Sequence, residues 1–152
     1  MATFPAGRLP LGASISPDSR RGYVGGALSS TITVVDIPAR KKIAEVPVGA
    51  LPIQVVPSPD GRYLVVPNTG SADVSIVDAV KLEVIKTLPS APGAHGAVFG
   101  PKQGGGTYAY VTNKFGAFVT VIDMERLEVA GHIPMPAGGG NGIHLIPNPY
   151  RR

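Results

Sequence analysis

The sequence predicts an all-β protein made of β-propeller blades, each a four-stranded antiparallel sheet, which form an incomplete ring in one chain. Two recurring segments lead to this prediction. Ser-Pro-Asp at 16–18 returns 42 residues later at 58–60, and again in the altered form Gly-Pro-Lys at 100–102. A run rich in β-branched residues ends at an aspartate in every repeat: Asp36, Asp78 and Asp123. A period of about 40–50 residues built from short strands is typical of a propeller blade.

A third marker lies ten residues before each of those aspartates: Gly26, Asn68 and Asn113. We interpret both sets of positions as structural. Each aspartate ends a strand, where its carboxylate can accept hydrogen bonds from nearby backbone N–H groups. We expect the asparagines to end strands at positions that tolerate an unusual φ, because glycine stands at the matching place in the first repeat.

Each repeat contains four strands separated by turns. In the first repeat, the apolar or alternating segments are 11–16, 21–25, 31–36 and 42–48. The corresponding segments of the second repeat are 53–57, 63–66, 74–77 and 82–88. Those of the third are 97–99, 108–112, 118–122 and 127–133, with an insertion around residues 103–106. Proline and aspartate in the first turn support this assignment, since proline sets φ and aspartate bonds nearby backbone.

The whole chain, residues 1–152, is predicted to be a single propeller segment. Its blades lie at about 9–50, 51–92 and 93–138. A fourth repeat begins with a strand at 142–149, which matches 52–59 almost position for position, and the printed sequence stops soon after it.

Composition excludes several classes of function. The chain has no cysteine, hence no disulfide framework and no thiolate metal site. Its net charge of +4 comes from small basic groups in predicted turns, and no nucleic-acid-binding motif is present. No apolar run is long enough to span a membrane, and residues 1–8 do not resemble a secretory signal, so we expect either a cytoplasmic protein or a mature or internal fragment.

The segment Tyr110-Val111-Thr112-Asn113 is the tetrapeptide that names the YVTN family of β-propeller repeats. The flanking Ser-Pro-Asp-Gly at 58–61 and Val-Ile-Asp at 121–123 agree with that family, which the chain resembles over about residues 9–149. The resemblance implies four-stranded blades around a central axis. It also implies a periplasmic or extracellular location, because members are mostly extracytoplasmic proteins of bacteria and archaea.

Three blades and one strand do not complete a ring, since propellers close with typically four to eight blades. An open arc would expose apolar faces at both ends. We therefore predict a homo-oligomer, or a subunit of a larger complex, in which the extra strand pairs with a neighbouring blade.

Histidines are the strongest candidates for chemistry. His95 lies where the innermost strand of the third blade starts, and His144 lies in the equivalent strand of the next repeat, where it aligns with Gln54. In the related nitrous oxide reductases and haem-containing nitrite reductases, histidines at such positions hold copper or contact haem, so the resemblance implies metal binding by His95 and His144. The competing interpretation is that both are ordinary polar residues of the channel or surface, because a metal site usually needs three or more ligands.

No catalytic constellation is recognised in the sequence. We therefore interpret the chain as a non-catalytic propeller module for protein interaction or scaffolding, with no cofactor of its own. The alternative is the propeller part of a redox enzyme that contains copper or haem.

Overall fold

The computed structural model describes residues 3–136 and 138–144, which form twelve β-strands in three four-stranded sheets. Blade 1 contains β1 (Pro10–Ile15), β2 (Arg21–Gly26), β3 (Thr31–Asp36) and β4 (Lys41–Pro47). Blade 2 contains β5 (Val56–Pro57), β6 (Tyr63–Asn68), β7 (Asp73–Asp78) and β8 (Glu83–Pro89). Blade 3 contains β9 (Ala94–Pro101), β10 (Thr107–Asn113), β11 (Phe118–Asp123) and β12 (Glu128–Pro134).

Within each blade the strands pair antiparallel in chain order, and this confirms the predicted fold class. The described residues contain no helix, and therefore none long and apolar enough to cross a membrane.

The hairpin between the third and fourth strands has the same geometry in every blade. Its last turn residue has a left-handed backbone: φ is 51° at Arg40, 60° at Leu82 and 53° at Leu127. The register of the paired strands then shifts at the same place in each blade, between Val34 and Val35 in blade 1. A four-residue turn with a left-handed residue followed by a bulge is a standard way to join two strands.

The innermost strand of blade 2 is shorter than predicted. The sequence predicts a strand over 53–57, whereas only Val56–Pro57 pairs as a strand, and Pro52 forms an isolated bridge to Asn68. Proline has no N–H to donate to a sheet, and prolines flank this segment at both ends. Inner strands also approach closely, because a Cβ at Gly12 would overlap the carbonyl oxygen of Ile53.

The core lies between the blades. One buried cluster joins blades 1 and 2 and includes Tyr23, Ile32 and Leu64, and the other joins blades 2 and 3 and includes Ile76, Phe99 and Ile122. Successive residues of a strand point to opposite faces, so blade 2 contributes alternate residues to the two clusters and buries both of its faces.

The outer faces of the two end blades are less covered. On blade 1, Leu11 and Ile15 are 53% and 59% exposed, and Ala13 between them is exposed too. Val55, the counterpart of Ala13 in blade 2, is only 2% exposed. On blade 3, Ile133 is 46% exposed. The described residues thus form an arc with two open faces.

The predicted extra strand at 142–149 lies mostly outside the described residues. Its first residues, 142–144, are described and do not form a strand. They follow a glycine-rich segment that passes the inner strand of blade 3, since a Cβ at Gly96 would lie 3.2 Å from the Cα of Gly142.

Candidate functional site

The three repeated aspartates lie at one end of the blades, in the hairpin after each third strand. The carboxylate of Asp36 accepts a hydrogen bond from the backbone N–H of Ala39 at 2.7 Å. Asp78 accepts two, from Val80 and Lys81, both at 2.8 Å, and Asp123 accepts two from Glu125 and Arg126. Their geometry is that of carboxylates that hold a turn.

The contacts of Asp78 and Asp123 stabilise the charged form of these two carboxylates. The backbone N–H of Lys81 lowers the pKa of Asp78 below its ordinary value of 3.8. The Lys102 ammonium lowers the pKa of Asp123 and its own pKa is raised in return. These groups are therefore charged at neutral pH and engaged in structure.

The third repeat replaces the Ser-Pro-Asp turn with a different device. In blades 1 and 2, the serine hydroxyl donates to the aspartate two residues later, at 2.6 Å for Ser16 to Asp18 and 2.5 Å for Ser58 to Asp60. Lys102 stands at the aspartate position of blade 3 and forms an ion pair with Asp123 instead. In blade 3, an ion pair between two turns thus replaces the hydrogen bond within one turn.

The two asparagines end their strands at the opposite end of the blades, as β6 ends at Asn68 and β10 at Asn113. Neither has a positive φ, so the expected backbone reason is wrong. Both are fully buried and act through their side chains. The Asn113 amide donates to Phe118 O and Thr120 Oγ1 and accepts from Ser90 Oγ and the N–H of Ala91.

His95 lies at the start of β9, at the same end as the asparagines. Its side chain is partly buried, and Nδ1 is buried without a hydrogen-bond partner among the described residues. A buried nitrogen that lacks a partner costs about 1–3 kcal/mol. A ligand that coordinates or hydrogen-bonds the imidazole would remove that cost.

His144 lies on an exposed segment rather than inside a strand. The segment runs past Gly96, directly after His95 in the chain, so the structure brings the backbones near the two histidines together. No group of three or more metal-ligating histidine, aspartate or glutamate side chains occurs in residues 3–136 and 138–144. The described residues do not provide the several ligands that a protein copper site uses, whereas a haem iron needs as few as one protein ligand.

Sequence reasoning missed a cavity of about 520 Å³ between blades 1 and 2, at the end that carries the aspartates. Asp18, Asp36, Asp60 and Arg20 line it. Arg21, the first residue of β2, donates from Nη1 to the carbonyl oxygen of Ala79 across the blade junction. No pattern in the sequence predicts this contact, because it joins residues of different repeats.

Comparison with known proteins supports the propeller architecture. Over 93% of its length the chain is similar to "Kuenenia stuttgartiensis Hydrazine Synthase", with 27% identity and a TM-score of 0.79. It is also similar in fold to "Crystal structure of RRP9 WD40 repeats" and "Structure of U3-55K", each at 14% identity, with TM-scores of 0.76 and 0.73 over 90% and 86% of the chain. The chain spans 40–41% of the length of these three proteins.

No curated protein matches the sequence. A protein family does match, over residues 6–102, which is more than half of the chain, and that family is described as the cytochrome D1 heme domain. The match covers blades 1 and 2 and the inner strand of blade 3. The chain belongs to the cytochrome D1 heme domain family.

Proposed function

We propose that this chain is a non-catalytic β-propeller module for protein interaction, whose two end blades pack against further blades. One observation carries the proposal: blade 2 buries both faces in apolar clusters, whereas the outer faces of blades 1 and 3 leave Leu11, Ile15 and Ile133 exposed. Exposed apolar faces of this kind mark interaction surfaces. The further blades come from a second copy or from the remainder of a larger assembly.

The repeat register supports the same proposal. Within the chain, the face of blade 1 that carries Tyr23 packs on the face of blade 2 that carries Leu64. Blade 3 presents the face equivalent to that of Tyr23, and blade 1 presents the face equivalent to that of Leu64. Each open face therefore has the complementary kind of face at the other end of the arc, as a ring that closes head to tail requires.

The finer assignments follow from the sequence. We propose that the repeats are of the YVTN type, with blades at about 9–50, 51–92 and 93–138 in one segment and an additional strand at 142–149. We further propose an extracytoplasmic, periplasmic setting, which the YVTN tetrapeptide at 110–113 supports.

Assembly is tested by the native mass of the purified 15.6 kDa chain and of an Ile15→Glu variant. We expect a closed multimer or a mixed complex for the unaltered chain, and a shift to smaller species for the variant, because a carboxylate on the open face of blade 1 opposes packing. Val80→Glu is the control, since Val80 is 72% exposed in a turn and lies on neither open face. The proposal would be contradicted by a chain that remains monomeric, both alone and when mixed with the other components of a larger assembly.

A second candidate function is contact with haem through His95. Two observations favour it: the chain belongs to a family described as a heme domain, and the buried Nδ1 of His95 has no partner among the described residues. His95 would hold the group, with His144 on the neighbouring segment, and a bound haem would supply redox chemistry. Copper is less well supported, because the described residues contain no three-ligand cluster.

Haem contact is tested by titration of the chain with haemin. We expect a shift of the Soret band that is lost in His95→Ala and kept in His132→Ala, because His132 is exposed on the outer strand β12 and packs edge-to-face against Phe118, with ring centroids 4.3 Å apart. Equal spectra for the two variants would exclude a specific role for His95.

A further inference from the structure

The two ends of the propeller segment differ in chemistry. At the end that carries the repeated aspartates, the turns are rich in charges of both signs, such as Asp60, Arg62, Lys81 and Glu125. At the other end, the connections run through residues 6–9, 27–30, 48–51, 69–72, 90–93 and 114–117. We call these segments the apolar end. Among them, only Arg8 and Lys114 are charged.

Every blade presents a large apolar side chain at the apolar end. Leu9 and Leu28 of blade 1 are 49% and 54% exposed, Leu51 before blade 2 is 37% exposed, and Phe115 of blade 3 is 69% exposed. These side chains stand on the loops that connect blades and on the loops between second and third strands. Their exposure is therefore a property of one end of the molecule and is separate from the open faces of blades 1 and 3.

The loops that carry these side chains are rigidly joined in the same way three times. The N–H of Ala27 donates to Leu9 O, that of Thr69 to Leu51 O, and that of Lys114 to Gly93 O, at 2.7–3.0 Å. A second bond forms one residue further on. The N–H groups of Leu28, Gly70 and Phe115 donate to the carbonyl oxygens of the residues that precede Leu9, Leu51 and Gly93, respectively, at 2.9–3.1 Å. Paired backbone bonds thus hold the backbones of these loops in the same conformation in each blade.

Glycine makes room for each apolar side chain in blades 2 and 3. A Cβ at Gly70 would lie 3.1 Å from Cδ1 of Leu51, and a Cβ at Gly93 would lie 2.8 Å from Cδ2 of Phe115. In the pair Leu51 and Gly70, and again in the pair Gly93 and Phe115, one residue is therefore a glycine and the other carries the large apolar side chain. The apolar side chain lies over a glycine in both blades, and this arrangement keeps one apolar group at the surface of each.

Backbone conformation does not explain why leucine occupies positions 9 and 51. Leu9 and Leu51 have left-handed φ values of 54° and 53°, and Gly93 occupies the equivalent place in blade 3 with φ of 79°. A left-handed conformation costs a non-glycine residue on the order of 1 kcal/mol. Folding would favour glycine at all three places, and exposed leucines recover little of that cost by burial.

Each positive charge of the apolar end lies beside a residue that carries an exposed apolar side chain. Nη2 of Arg8 donates to the carbonyl oxygen of Leu28 at 3.2 Å, and Nζ of Lys114 lies 5.4 Å from the centre of the Phe115 ring. Within residues 3–136 and 138–144, neither cation forms an ion pair with a carboxylate. The surface thus offers apolar contacts next to two uncompensated cations.

We propose that the apolar end docks a protein segment in which apolar side chains alternate with carboxylates. The proposal rests on the proposed function as an interaction module and names the surface and the chemistry of a partner. Complementary charge favours an acidic segment. Nucleic acid is disfavoured because its recognition uses many cations and several stacked aromatic rings, whereas this surface has two cations and one aromatic ring, that of Phe115, beside three leucines.

The test is a selection of random peptides on the immobilised chain, followed by affinity measurements with the enriched synthetic peptides. We expect enriched peptides to combine leucine or aromatic residues with aspartate or glutamate. Leu28→Ser and Phe115→Ser should each weaken binding about tenfold, as the loss of one buried apolar side chain predicts. Arg8→Glu should weaken it further at low salt. The matched control, Val80→Ser, removes an equally exposed apolar side chain at the opposite end and should leave affinity unchanged.

Three outcomes would overturn the inference: no enriched peptide, enriched peptides without acidic residues, or equal loss of affinity in the control. Binding to phosphatidylserine vesicles in place of peptides would assign the surface to a membrane and would also overturn it. Native mass is recorded for the same variants. Since Leu28 and Phe115 lie outside the open faces, assembly should be retained, and failure of docking is thereby distinguished from failure of the proposed assembly.

Discussion

Asn68 and Asn113 occupy equivalent positions, yet they differ in what their side chains contact. Asn113 makes four hydrogen bonds, two of them to Ser90 and Ala91 of the loop that precedes blade 3. Asn68 makes two, to Asp73 and Ser75, and its Oδ1 is buried without a partner among the described residues. The repeat pattern predicts the position of each asparagine. It does not predict the bonds, because Val48 replaces Ser90 at the equivalent place.

This difference predicts unequal costs for the same substitution. Asn113→Ala should lower the free energy of unfolding by about 3 kcal/mol, since it removes four bonds and leaves buried partners unsatisfied. Asn68→Ala should cost about half as much. Chemical denaturation of both variants measures the two values, and a larger cost at Asn68 would contradict the assigned bonds.

At the scale of the element, the close approach of neighbouring inner strands decides which strand positions require glycine. Gly12 of β1 faces the Ile53 carbonyl of the next blade, with no space for a Cβ. Gly131 of β12 lies at the outer edge of blade 3, with open space around its Cα. Both glycines lie in strands, and only the packing of the blades distinguishes their roles.

Alanine substitution at these glycines should therefore have opposite effects. Gly12→Ala should destabilise the protein by about 2 kcal/mol, because the blades must separate to admit the methyl group. Gly131→Ala should be neutral or stabilising by up to about 1 kcal/mol, since alanine restricts the unfolded chain more than glycine does. Thermal unfolding of the matched pair tests this, and equal destabilisation by both would count against the close approach of β1 to residue 53.

Across the whole molecule, aspartates at the ends of strands couple stability to pH. The Ser16 hydroxyl lowers the pKa of Asp18, the Lys81 N–H lowers that of Asp78, and Lys102 lowers that of Asp123, all from an ordinary value of 3.8. A carboxylate whose pKa is lower in the folded state stabilises the fold above its unfolded pKa. That contribution is lost as the pH falls through the folded value.

We therefore expect the melting temperature to be constant near neutral pH and to fall below about pH 4. Asp78→Asn should flatten this dependence, because the amide cannot carry the charge that the turn N–H groups stabilise. Glu83→Gln is the control, since Glu83 is exposed and its carboxylate forms an ion pair with Lys81 at 3.8 Å without accepting the turn N–H groups that Asp78 accepts. An unchanged acid slope in Asp78→Asn would show that this turn does not contribute.

The amino-acid sequence by itself determined the fold class, the turns and most strand positions. These depend on local chemistry that repeats: β-branched strands, proline in turns and aspartates that cap the next few N–H groups. Tertiary structure alone decided the Arg21 contact with Ala79 and the grouping of Leu9, Leu28, Leu51 and Phe115 at one end. Each of these arises between repeats, where residues distant in the chain meet, and no pattern within one repeat records such a meeting.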